Sequence, residues 1–184
     1  NGTPSAAVTT AKKGNSAPGA GGEVYDNLAS GFTDPARIDQ VGNFCYSAKV
    51  KPSGKEGIWY APIATGIASK VVIMGDAAPG TTTTFSRMLD MPAMGGTNNI
   101  AFHAYLAATG DNAANDKGDG IWKGVAPAAI STYTLVIRCG ATGVAGLPGG
   151  AKVGNLWTPW MSNQSSKRPC AACALNCSGC ARMR

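Results

Sequence analysis

The chain has 184 residues, 14% of them charged, with a formal charge of +6 and 25 glycines. Its length supports one ordinary domain with a real core, and low charge with abundant glycine suits short strands and tight turns rather than long surface helices. No apolar run of about 18 residues is present, which excludes a spanning helix. No basic stripe interleaved with aromatics is present either, so nucleic acid is not an expected partner.

Residues 1–22 are rich in Ala, Thr, Gly and Pro and read as a flexible segment ending in a turn, Gly14-Asn15-Ser16-Ala17-Pro18-Gly19. A closely similar turn lies at Gly75 to Gly80 and a looser one at Gly140 to Gly150. Their first residues are 61 and then 65 positions apart, the spacing of stacked β units or propeller blades.

Residues 23–80 form the first predicted unit. A hydrophobic cluster, Val24, Tyr25, Leu28 and Phe32, ends near Pro35. Phe44, Tyr46 and Ala48 then alternate with Cys45, Ser47 and Lys49, which predicts a strand with one wetter face. Gly57-Ile58-Trp59 and the β-branched run Val71-Val72-Ile73 predict two more. Residues 81–150 repeat this order: Phe85, Met88, Leu89 and Pro92; Ile100 to Leu106; Gly120-Ile121-Trp122; Leu135-Val136-Ile137. Residues 151–166 begin a third unit with Val153, Leu156, Trp157 and Pro159. Residues 167–184 form a basic, cysteine-rich tail in place of the strand due next.

The pattern resembles the exported bacterial tandem-repeat proteins named for an Asn-x-x-Gly-x-x-Ala-Phe motif. The motif slots are Asp39, Gly42, Cys45 and Tyr46 in the first unit, then Gly95, Asn98, Ala101 and Phe102 in the second. The third set would be Asn163, Ser166, Pro169 and Cys170. The Gly-Ile-Trp and Gly-Asp-Ala-Ala-Pro-Gly elements match the family's unit more closely. The resemblance covers about residues 14 to 166 and implies an extracytoplasmic β-repeat protein. It brings no activity that attaches to named residues.

Several residue groups admit a chemical reading beside a structural one. Cys170, Cys173, Cys177 and Cys180 form two C-x2-C pairs, a donor set suited to zinc or an iron–sulfur cluster. Only three residues separate the pairs, closer than two facing zinc knuckles require. Disulfides within the tail or to Cys45 and Cys139, or a tail outside the selected structure through a shifted reading frame, stay open. His103, the single histidine, alternates with Phe102 and reads as a solvent-facing strand residue. The acidic loop from Gly110 to Gly120 has oxygen ligands for calcium. Ala113 and Lys117 interrupt the cadence, so a solvated loop is the expectation. Trp59 and Trp122 could stack on sugars, but their matching places predict core anchors.

The sequence therefore predicts an all-β protein of antiparallel, blade-like units in a partial or open propeller with disordered termini. No catalytic set and no cofactor are expected. The expected role is that of a non-enzymatic secreted or cell-surface protein that is structural or binds a surface or protein partner, further copies of itself included. The chain opens on Asn1 rather than Met, which suits a processed or excerpted chain. Six cysteines form an even set, which permits disulfides if the protein is exported. The alternative is a metal-binding module centred on the four tail cysteines.

Overall fold

The structure, a computed structural model, describes residues 10–28, 36–107, 118–142, 144–154 and 156. It is all-β, with two antiparallel sheets joined in chain order. The first sheet holds β1 (Val24–Asn27), β2 (Ala36–Ile38), β3 (Phe44–Lys51), β4 (Glu56–Ala61) and β5 (Ser69–Ile73). The second holds β6 (Phe85–Gly95), β7 (Asn99–Leu106), β8 (Asp119–Val125) and β9 (Thr134–Arg138). A short 3-10 turn, Ile130–Thr132, precedes β9. Among the described residues no helix is long and apolar enough to cross a membrane.

Both sheets are meanders. β3 pairs with β4 and β4 with β5, just as β7 pairs with β8 and β8 with β9. The outer strand differs. β6 runs along β7 as one strand with register shifts at Phe85/Arg87 and Leu89/Ala93. In the first sheet that position is shared by β1 and β2, which pair with opposite ends of β3. Shifts of this kind bend a strand without ending its pairing.

The Gly-Ile-Trp elements have the same geometry in each sheet. Trp59 and Trp122 are both 0% exposed, and each indole lies back over the glycine two residues before it. A Cβ on Gly57 would stand 2.8 Å from the Trp59 ring, and one on Gly120 would stand 2.7 Å from the Trp122 ring. Only a residue without a side chain leaves that room. Trp59 Nε1 donates to the Pro18 carbonyl at 3.0 Å, and Trp122 Nε1 donates to the Pro79 carbonyl at 2.9 Å. Around them stand Tyr25 and Tyr46 in one sheet, Phe85 and Phe102 in the other. The edge-on ring lies at 5.2 Å and 4.8 Å and the stacked one at 6.2 Å and 6.0 Å. Three aromatics buried against one another supply a large apolar area at each centre.

The turns match as well. Gly14 N–H donates to the Tyr25 carbonyl, Gly75 N–H to the Phe85 carbonyl and Gly140 N–H to the Val153 carbonyl, at 2.7, 2.8 and 2.8 Å. All three glycines have positive φ, the left-handed conformation that other residues rarely adopt.

The main core lies between the sheets. Cys45, Ile58, Tyr60 and Val72 from the first sheet pack with Phe85, Met94, Phe102 and Trp122 of the second. The opposite face of the first sheet carries Tyr25, Tyr46, Val50 and Trp59, with Ala17 against them. The opposite face of the second sheet carries Ile121 and Ile137, covered by Val153 and Leu156. This corrects two expectations. The face of β3 bearing Cys45 and Ser47 is not a wetter face: both residues are buried, because the second sheet covers them. His103 is likewise buried rather than solvent-facing, at 4% exposed.

Candidate functional site

One buried polar grouping lies at the rim where β2 turns into β3, and another lies on the far face of the second sheet. At the rim, Asp39 closes its own turn by accepting the backbone N–H groups of Val41 and Asn43 on Oδ1, at 3.0 and 2.9 Å. Its Oδ2 accepts Asn43 Nδ2 at 3.1 Å and, across to the second sheet, the backbone N–H of Asn98 at 3.2 Å. Asn98 Oδ1 in turn accepts Asn43 Nδ2 and the Tyr60 hydroxyl, both at 2.7 Å. Four residues from two turns and one strand thus form a closed polar seat.

The backbone explains the choice of residues. Asn98 has φ +63°, and Gly42 holds the matching place in the first unit with φ +95°. Asn tolerates the left-handed region better than other side-chain-bearing residues. Asp39 is buried. Burial by itself would raise its pKa, but the hydrogen bonds from Asn98, Asn43 and Val41 together outweigh it and hold the carboxyl below its ordinary range.

On the far face, His103 Nε2 lies 2.8 Å from Asp119 Oδ2, and both side chains are buried. β7 and β8 bring them together on one face, His103 opposite Ile121 and Asp119 opposite Tyr105. The acid at the head of β4, Glu56, holds the matching slot in the first sheet, where it pairs with Lys49 at 3.3 Å and Arg87 at 3.9 Å. Sequence reading missed the His103–Asp119 pair. An available signal was that an acid directly precedes each Gly-Ile-Trp. A buried imidazole–carboxylate pair can hold or pass a proton. On the same face Ile121, which opposes His103, is covered by Val153 and Leu156.

Cys45 is a buried thiol joined to no other cysteine, and burial pushes its pKa well up, the behaviour of an inert core residue. Cys139 is also buried, its Sγ 3.8 Å from the Val153 carbonyl. Cys170, Cys173, Cys177 and Cys180 lie outside the described residues, as does most of the acidic loop. Asp119, near that loop's end, faces His103. Among the described residues no three His, Cys, Asp or Glu side chains converge as a metal site. Trp59 and Trp122 are wholly buried and present no sugar-stacking surface.

A cleft of about 630 Å³ lies at the end of the second sheet, lined by Gly95, Gly96, Asn99, Lys123, Val125 and Thr134 among others. Its lining is mixed in character, with the Lys123 ammonium, the Asn99 amide and the hydroxyls of Thr132 and Thr134 beside exposed Val125.

These features define an all-β arrangement of two antiparallel meanders packed on a shared core, with the rim seat joining a turn of one sheet to a turn of the other. The chain belongs to DUF7453, a family of unknown function, whose profile matches residues 2–164. The four tail cysteines fall outside the matched span. No curated protein matches the chain, and no solved structure does.

Proposed function

We propose that the chain is a stack of blade-like β-repeat units, part of an open or partial propeller, and serves as a non-enzymatic secreted or cell-surface protein with a structural or partner-binding role. The observation that carries this is the recurrence of one contact set. The glycine turn, the indole over its glycine and the indole–proline carbonyl bond occur in the same order in both sheets, and the turn occurs a third time at Gly140. Repeat architectures build this way, because each unit buries its faces on its neighbours. The sequence resemblance to exported Asn-x-x-Gly-x-x-Ala-Phe repeat proteins supports the location. The partner class is a surface or another protein, bound through the loops that the sheets hold rigid.

Labelling intact producing cells with a membrane-impermeant amine reagent tests the location. The protein should be modified without lysis, and labelling that appears only after lysis sinks it. For the stacking, replacement of Trp59 or Trp122 by Ala should destabilise the protein to a similar degree. A large loss at one position and none at the other would contradict equivalent units.

A further inference from the structure

Hydrogen bonds tie four connections at one end of the two sheets into a single rim. Ile63 N–H donates to Asn43 Oδ1 at 3.0 Å, which joins the β4–β5 connection to the β2–β3 turn. Asp39 Oδ2 accepts the Asn98 N–H at 3.2 Å, which joins that turn to the β6–β7 turn. The Asn98 carbonyl accepts the Ala126 N–H at 2.9 Å, which adds the β8–β9 connection. Residues 39–43, 62–68, 96–98 and 126–133 make up these connections, and their one charged residue, Asp39, is buried. Apolar side chains are exposed there instead. Of the six large hydrophobics exposed among the described residues, five are Ile38, Val41, Ile63, Ile67 and Val125. All five lie in these connections or at the strand ends that meet them. The opposite ends of the strands are cationic: Lys51, Lys55 and Arg87 are exposed at or near them.

Exposed aliphatics clustered without charge mark a surface that another molecule covers. We infer, resting on the partner-binding reading above, that a second copy of this chain covers the rim, the β4–β5 connection of each copy seated in the cleft of the other. The two sheets carry complementary halves of that contact. On the first sheet, Ile63 and Ile67 are 64% and 72% exposed. On the second, the cleft of about 630 Å³ is lined by the small residues Gly95, Gly96, Gly124 and Ala128 beside Val125. A cavity of about 150 Å³ takes up a benzene-sized group, so the cleft has room for both isoleucines. Both halves lie on one rim. A two-fold axis across that rim therefore sets each loop on the other copy's cleft and closes the assembly at two. Charge favours the same occupant. Each copy carries a formal charge of +6, and rim-to-rim pairing holds Lys51, Lys55 and Arg87 of the two copies at opposite poles. An anionic partner would be drawn to those poles rather than to the rim. Lys123, exposed in the cleft wall, can keep its ammonium in water along its flexible stem.

Light scattering after size exclusion of the full chain, run over a dilution series, should show a dimer that dissociates on dilution. Ile67→Lys sets an ammonium against Lys123 and should weaken self-association roughly tenfold or more. Ile67→Glu can pair with Lys123 and should weaken it less. Thr134→Trp fills the cleft from an exposed position and should weaken it as Ile67→Lys does. Both positions are exposed, so the far-ultraviolet circular dichroism of each variant should match that of the parent protein. A monomer at every concentration, or a dimer indifferent to Ile67→Lys and Thr134→Trp, overturns the pairing. So does equal loss in Ile67→Lys and Ile67→Glu, which would place the loop away from Lys123. A monomer that sediments with neutral phosphatidylcholine vesicles, and no longer does so as Ile67→Lys, also overturns it. The rim then serves a lipid surface, and the partner-binding reading survives. Rim-dependent dimers of a protein that is labelled only in lysed cells uphold the pairing while the surface location falls.

Discussion

At the scale of single residues, the space above Gly57 and Gly120 leaves no room for a side chain. Gly120→Ala would drive a methyl into the Trp122 ring at 2.7 Å, with the Ile137 carbonyl at 3.2 Å on the other side. Neither neighbour can withdraw cheaply, since the indole is hydrogen-bonded and the carbonyl belongs to β9. Overpacking of this kind costs roughly 1–3 kcal/mol, so Gly120→Ala should lower the melting temperature in a thermal scan. Tyr133 predicts the opposite sign. Its hydroxyl is buried with no hydrogen-bond partner among the described residues, and its ring packs on Phe102. An unmet buried hydroxyl costs about 1–3 kcal/mol. Tyr133→Phe should therefore raise the denaturant midpoint, and a fall in that midpoint would mean that the hydroxyl has a partner.

Among elements, the rim seat is the joint between the β2–β3 turn and the β6–β7 turn. Its pH dependence follows from Asp39. A carboxyl whose folded pKa lies below the unfolded value stabilises the fold above that unfolded value, about 3.9, and the contribution is lost as pH falls through the folded pKa. Asp39→Asn removes the acceptor for Asn98 and should cost about 1–3 kcal/mol near neutral pH. The difference between Asp39→Asn and the parent protein should shrink in denaturant titrations run below pH 4. A gap that stays constant with pH would mean that the carboxyl does not titrate in this way.

The strands themselves were legible in the sequence. Gly-Ile-Trp, Val71–Ile73 and Leu135–Ile137 all lie in strands at the places their patterns predict. What pattern could not supply is what covers the second face of each sheet. Alternation around Cys45 and His103 marks a period of two, and polar residues on the alternate face suggest water. Here the alternate face of β3 meets the next sheet, and on the alternate face of the second sheet Ile121, which opposes His103, meets a later strip of chain. Ser47 is polar and buried because the next sheet arrives there, and His103 is polar and buried against Asp119 of the adjacent strand. The rim seat was hidden for the same reason, as Asp39 and Asn98 are 59 residues apart. The cysteine tail falls outside both the described residues and the family match.

For the whole molecule, one core joins the two sheets, so neither sheet should unfold alone. Residues of β3, β4 and β5 share a single cluster with residues of β6, β7 and β8. Native-state hydrogen exchange should give the central amides of β4 and β8 opening free energies that agree closely, as expected of one cooperative unit. Values that differ by several kcal/mol would divide the molecule into two independently opening halves.

The proline carbonyls that receive Trp59 and Trp122 have a practical consequence. Each indole proton is buried and held by an acceptor in the turn that enters its own sheet. The chain thus carries a matched pair of built-in spectroscopic reporters, one per sheet, in nearly identical surroundings. Their two indole signals in a proton–nitrogen spectrum give each sheet its own readout, so damage to one can be located without adding a probe.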